Sequence, residues 1–228
     1  MIEWKWLLRT RVLGGRLHWF YKLRYEKSVR HRLGQIRGEL FWDIGANIGF
    51  YSLFLSRNFS KIVAVEPNPE TAATLRRKTQ GTDNIAILEL ALSNTNGPTR
   101  LYTQREKFCL AGFNNKNGSD SLLSRIDYKS SRDPSNDRVV QNRPSIQVLQ
   151  RRFDDLSAGP VDLVKIDVEG AEFLVLEGMR GSLKERSVKR VMVELHNRED
   201  KTTLESLFAT YGYAIEWVDP DHLFATSP

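Results

Sequence analysis

Phe41-Trp42-Asp43-Ile44-Gly45-Ala46-Asn47-Ile48-Gly49 and, further along, Ile62-Val63-Ala64-Val65-Glu66-Pro67-Asn68-Pro69 are the two stretches that decide the fold. The first reads as a short apolar strand entering a turn of small residues, followed by Ile48, Tyr51 and Leu55 at helical spacing. A ligand can therefore approach bare backbone at the start of a helix. In the second stretch the apolar run Ile62, Val63, Val65 stops at Glu66. In a parallel sheet ligands sit at the carboxyl edge, and an acid one strand over from a glycine turn is placed to accept hydrogen bonds from ribose hydroxyls. The pair describes a nucleoside site.

What the turn lacks narrows the nucleoside. A dinucleotide fingerprint needs G-x-G-x-x-G so that backbone can close on a pyrophosphate. Asn47 and Phe50 stand at the second and third of those positions. Asp43, ending the first strand, repels a pyrophosphate and attracts an ammonium. S-adenosylmethionine carries an amino acid ammonium and a ribose diol and has no phosphate, so it is the expected cofactor and NAD is not.

A third block is Asp162-Leu163-Val164-Lys165-Ile166-Asp167-Val168-Glu169-Gly170-Ala171-Glu172, followed by Val175-Leu176-Glu177-Gly178. With Asp43 to Gly49 and Glu66-Pro67-Asn68 it resembles the signature of FkbM-family methyltransferases, over roughly Glu39 to Leu195. The resemblance implies an α/β class I methyltransferase fold: a Rossmann-like three-layer sandwich with a mostly parallel seven-stranded sheet, here with an N-terminal helical extension. It also implies methyl transfer to a hydroxyl oxygen, commonly on sugars, glycolipids or polyketides, and makes Ala91-Leu92-Ser93 the segment beside the adenine. The expected cofactor contacts are then Asp43, Gly45, Ala46, Asn47, Gly49, Tyr51, Glu66, Pro67, Asn68, Ala91, Leu92 and Asp167.

The chain has 228 residues, enough for one domain with a large core and few for two. Its net charge of +6 is unevenly placed. Residues 1 to 40 hold 10 Lys and Arg against 3 acids, so the remaining 188 carry 24 against 25 and are close to neutral. The single cysteine, Cys109, excludes an internal disulfide and a cysteine-based zinc cluster, which leads to the expectation of a cytoplasmic setting. No run of 18 or more apolar residues is present, and the N-terminus lacks the pattern of a secretory signal.

Residues 1 to 37 form a basic, aromatic leader of helical tendency, broken at Gly14-Gly15, and residues 38 to 228 form the methyltransferase domain. Trp4, Trp6, Trp19 and Phe20 are interleaved in the leader with Arg9, Arg11, Arg16, Lys22 and Arg24. Such a segment suits a helical cap on the body or on a second copy of the chain, peripheral docking on an anionic membrane, or, less well, nucleic acid. Beyond the turn, Asn68 and Pro69 predict a capped helix closing before Gly81. Ile85 to Leu92 reads as a strand and Arg100 to Thr103 as its hairpin partner. Residues 104 to 144 are the least regular part and are expected to be a substrate lid. Asp162 to Asp167 reads as the central strand, Gly170 to Leu183 as one helix, Arg190 to Leu195 as the next strand, a helix from Thr202 to Tyr211, and Tyr213 to Val218 as the strand that closes the sheet.

Methyl transfer from a sulfonium is an in-line displacement, so positioning supplies much of the rate, and removing the hydroxyl proton adds roughly 10² to 10⁴. Asp167 with Glu169, and Glu194 with His196, lie at i, i+2 spacing at two strand ends. His196 is the expected base, because an unperturbed imidazole titrates near about 6.5, and Asp167 either orients it or touches the methionine portion of the cofactor. The same four groups suit an oxygen-rich divalent metal site, but no metal is expected, since cofactor contact and the turn into a helix account for Asp167-Val168-Glu169-Gly170. Lys165 reaches the pocket or forms a structural ion pair.

The leading function is therefore an S-adenosylmethionine-dependent O-methyltransferase acting on a glycan, glycolipid or other hydroxylated small molecule. An RNA or cap ribose methyltransferase is the alternative, weakened by the neutral body. A binding protein that keeps the nucleoside pocket without catalysis is the third reading.

Overall fold

A computed structural model of the chain describes residues 26–102, 125–126 and 145–228. Seven strands make the main sheet: β1 (Gly38–Ile44), β2 (Phe59–Val65), β3 (Ile85–Leu88), β8 (Leu163–Ile166), β9 (Arg190–Glu194), β10 (Ala214–Trp217) and β11 (His222–Thr226). Their order is β10-β11-β9-β8-β1-β2-β3. All pairs among β3, β2, β1, β8 and β9 are parallel, and β11 alone runs against its neighbours. Connections leave β1 outward through β2 to β3 and then return to β8 on its other side, which puts the topological switch point between β1 and β8.

The strands are apolar on both faces because helices cover both. Phe41, Ile62, Leu163 and Met192 pack with Val29 and Leu33 of α1 (Lys27–Gly34) and with Phe50 and Tyr51 of α2 (Phe50–Phe54). Their strand neighbours Trp42, Val63, Val164 and Val191 face the other way, onto Val175 and Leu176 of α4 (Glu172–Gly178), Leu183 of α5 (Arg180–Lys184) and Leu204 and Phe208 of α6 (Lys201–Thr210). The fold is thus the expected class I three-layer sandwich. Residues 26–37 of the leader belong to its core: Val29 and Leu33 are fully buried, and Ile36 nearly so. The leader before residue 26 lies outside the described residues.

Local chemistry explains the elements. Helix α3 (Pro69–Thr79) starts where Asn68 accepts the N–H groups of Glu70 and Thr71 and Pro69 takes the first helical position, as expected. The predicted single helix from Gly170 to Leu183 is instead two. Asp154, in the turn Phe153–Asp155, accepts the N–H groups of Gly181 at 2.8 Å and Ser182 at 3.0 Å, so a buried-side carboxylate caps a fresh helix start at α5. Gly178, just before the break, lies so close to the Ser93 carbonyl that a Cβ would come within 2.1 Å of it.

The predicted hairpin is also replaced. The strand from Ile85 ends at Leu88, and β4 (Ala91–Leu92) joins a second sheet of order β4-β7-β5-β6, with β5 (Gly97–Tyr102), β6 (Arg125–Ile126) and β7 (Ser145–Arg151). β7 sits between the two supposed hairpin partners, parallel to β4 and antiparallel to β5. The turn side chains favour this: Asn96 accepts the Arg152 N–H and donates to Asp155, and Thr95 accepts from Gln150. At the other end β11, absent from the sequence reading, inserts between β9 and β10. The Asp219 carboxylate reverses the chain there by accepting the N–H groups of Asp221 and His222. The lid expected at 104–144 lies outside the described residues except for β6, which pairs with Leu101 and Tyr102.

Candidate active site

Ile44 is paired with Val65 on one side and Ile166 on the other, and Ile166 with Val193. The next residues, Gly45, Glu66, Asp167 and Glu194, therefore emerge as one row at the carboxyl edge. The switch point between β1 and β8 lies inside this row.

The half nearer β2 is built around Glu66. Its two carboxylate oxygens accept the backbone N–H groups of Asn47 and Asn68, each at 3.0 Å, tying the β1 turn to the start of α3. Burial pushes its pKa up to about 7 against these hydrogen bonds, and the charges of Asp167 and Asp43 add to the rise. Asn47 adopts the left-handed conformation, φ 52°, that presents its N–H to Glu66. Gly45 is fixed by packing: at φ 77° a Cβ would lie 1.8 Å from the Asp167 carbonyl oxygen. That close approach seats the β1 turn against the end of β8.

Asp43 lies below the turn, opposite Lys165 in the β1–β8 register. It is 1 % exposed; one oxygen accepts the Ser52 hydroxyl at 2.6 Å, and the other is buried with no hydrogen-bond partner. Burial raises its pKa, and the Lys165 charge works in the opposite direction. Lys165, 2 % exposed, pairs with Asp167 at 3.0 Å and lies 4.9 Å over the Tyr51 ring. Of the other expected contacts, Ala46 and Asn68 are buried, and Pro67 is partly exposed beside Glu66. Tyr51 is buried and donates its hydroxyl to Glu26. Gly49 packs on Leu75, and Leu92 is part of the core facing α4.

The half nearer β9 is a carboxylate cluster about one imidazole. His196 Nδ1 lies 2.7 Å from Glu172 Oε1, which also accepts the Gly170 N–H at 2.7 Å. His196 Nε2 faces Glu169 at 3.2 Å, with Asp167 and Glu194 each at 3.9 Å. Burial opposes charge on this ring, but the carboxylates of Glu169 and Glu172 against its two nitrogens and the Glu194 charge outweigh it and raise its pKa well above the ordinary range. The surrounding carboxylates thus favour the charged ring over the free imidazole expected of a base. Glu169 reaches the ring because it sits at φ 55°, followed by Gly170 at φ 100°.

The sequence pointed to Asp43, Glu66, Asp167, Glu169, Glu194 and His196, and the fold brings all six to this edge. It missed Ser52 and Glu172. Both are invisible in a linear reading: Ser52 is an ordinary helix residue, and an acid in the first turn of α4 reads as a dipole cap.

The family model described as the methyltransferase FkbM domain matches residues 43–219. The chain belongs to the FkbM methyltransferase family. As a member it is a methyltransferase. Hexuronic acid methyltransferase AglP of Haloferax volcanii is 27% identical over 75% of this chain and 62% of its own length. The 31-O-demethyl-FK506 methyltransferase FkbM of Streptomyces tacrolimicus is 24% identical over 86% of this chain and 80% of its own. The crystal structure of methyltransferase FkbM from Methylobacillus flagellatus KT superposes with a TM-score of 0.56 at 17% identity, covering 91% of this chain. The FkbM-family chain here spans 48% of that structure, and the likeness is one of fold.

Proposed function

We propose that this methyltransferase uses S-adenosylmethionine and methylates a hydroxyl oxygen of a sugar, glycolipid or other small acceptor. The observation that carries the proposal is Glu66 at the carboxyl end of β2, its carboxylate fixed by the Asn47 and Asn68 N–H groups beside a glycine turn. Its remaining lone pairs suit a ribose diol. The buried unpaired oxygen of Asp43 supplies an acceptor for the cofactor's ammonium.

In the transfer an acceptor oxygen lone pair bonds to the methyl carbon as the carbon–sulfur bond breaks and sulfur keeps its electrons. The hydroxyl proton passes to a carboxylate of the Asp167, Glu169 and Glu194 group, and His196 holds that group in position. The anionic edge favours a neutral hydroxylated acceptor over RNA, whose phosphates it repels. The oxygen-methyl named for the Streptomyces enzyme agrees with a hydroxyl acceptor, and the name of AglP with a sugar-derived one.

Calorimetry with S-adenosylmethionine and NAD, then incubation with methyl-labelled donor and separate glycan, lipid and RNA extracts, tests the reading. Label is expected in the glycan or lipid fraction. Label confined to RNA, or no binding of the donor, would reject it.

A further inference from the structure

We propose that Asp167, Glu169 and His196 Nε2 form a binding site for one divalent cation of the manganese or magnesium class, against the sequence-based expectation of a metal-free edge. The proposal rests on the methyl-transfer reading of this edge and deepens it.

One ligand atom from each of the three residues lies within 4.8 Å of the others, close enough to converge on a single ion. The imidazole is prepared as a ligand. Its Nδ1 is held at 2.7 Å by Glu172, which is 2 % exposed and itself fixed by the Gly170 N–H. A carboxylate on Nδ1 keeps the N–H there and fixes the ring's orientation, so that a cation binding at Nε2 displaces that nitrogen's proton and takes its lone pair, as in metal-binding histidines. That other nitrogen, Nε2, is buried, has no aligned hydrogen-bond partner, and faces Glu169 and Asp167. Lys165 engages Asp167 through Oδ2, and the oxygen nearer His196 is Oδ1.

Charge points the same way. Among the described residues, Asp167, Glu169, Glu172 and Glu194 gather around His196, with Lys165 on Asp167 and His222 on Glu194 as neighbouring cations; four carboxylates against two cations leave an excess of negative charge that a dication offsets. Two carboxylates and one imidazole suit manganese better than magnesium, because nitrogen ligands favour the later metal of the two. There the ion meets an acceptor hydroxyl, lowers its pKa and holds it toward the methyl group, the proton leaving to a carboxylate of the cluster.

The test is titration of the chelator-treated full chain with Mn²⁺, followed by electron paramagnetic resonance of free ion and by calorimetry. Saturable binding of one Mn²⁺ per chain is expected, displaced by excess Mg²⁺. Glu169→Gln should abolish it, and Glu172→Gln, acting through His196, should weaken it about tenfold to a hundredfold. Glu177→Gln, outside the cluster, should bind as the parent does. Circular dichroism melts identify any variant that fails to fold, and the near-isosteric Glu172→Gln keeps the comparison available if Glu169→Gln does. Absence of saturable binding in the parent, or binding unaltered in the folded glutamate variants, overturns the site. S-adenosylmethionine calorimetry on the same sample separates the two readings: donor bound without Mn²⁺ removes the cation alone, and neither bound removes both.

Discussion

Glu66 accepts the backbone N–H of Asn47 at 3.0 Å across the gap between two adjacent parallel strands. This bond joins the acid that the sequence marks as a ribose contact to the turn that the sequence marks as its partner. The shape of the turn and the charge of the acid are thereby one unit. A second bond, from the Asn68 N–H, extends that unit to the first turn of α3.

A pH dependence of donor binding follows. Burial pushes Glu66 up to about 7, and ribose hydroxyls donate to its ionised form, so affinity for S-adenosylmethionine should rise as pH passes through that value. Glu66→Gln should flatten the rise and cost about 1.5 to 3 kcal/mol at pH 8, the worth of a charge-assisted hydrogen bond. Calorimetry at pH 6, 7 and 8 checks both; an unchanged slope in the variant would take Glu66 out of the ribose site.

Gly45→Ala should damage the fold before it damages the ligand site. The new Cβ would lie 1.8 Å from the Asp167 carbonyl oxygen, and backbone has to move. A loss on the order of 3 kcal/mol or more is expected, from overpacking and positive φ together. Urea denaturation with a midpoint like the parent's would contradict the packing described.

His222 makes stability depend on alkaline pH. The ring is buried, which opposes its charge, but hydrogen bonds to Asp219 and Glu194 raise its pKa to about 9. A raised histidine pKa contributes stability fully below the unfolded value near 6.5 and loses it as pH rises through about 9. His222→Gln should therefore lower stability by on the order of 2–3 kcal/mol at pH 6 and by little from this source at pH 10. Melts of both proteins across that range decide it; a constant gap would assign the loss to packing.

The leader needs charge substitutions for its test, since deletion reaches the core. Removing residues 1 to 34 takes away fully buried Val29 and Leu33, each worth about 2 kcal/mol or more, and should abolish the cooperative melt. Replacing Arg9, Arg11, Arg16 and Lys22 with Gln instead should reduce sedimentation with phosphatidylserine vesicles, in a salt-sensitive way, if the leader docks on anionic membrane. Equal sedimentation of parent and variant would leave that reading without support. Among the described residues, no helix is long and apolar enough to cross a membrane.

By itself the sequence determined what depends on near neighbours in the chain. The glycine turn after Asp43, the acid ending β2, the Asn68-Pro69 cap and the Asp167 to Gly170 turn are each set by a few consecutive residues, and all stand where their patterns put them. The parallel β1–β2 pairing follows from them, because a strand, a helix and a strand in succession have few ways to pack. Tertiary structure alone decided what depends on residues far apart. β7 entered between β4 and β5, and β11 between β9 and β10, because strand pairing depends on the tertiary context of each strand and no local pattern encodes the partner. The same holds for charge: His196 reads as an ordinary imidazole until the ends of β8 and β9 bring Glu169, Glu172 and Glu194 around it, and that surround changes its proton affinity.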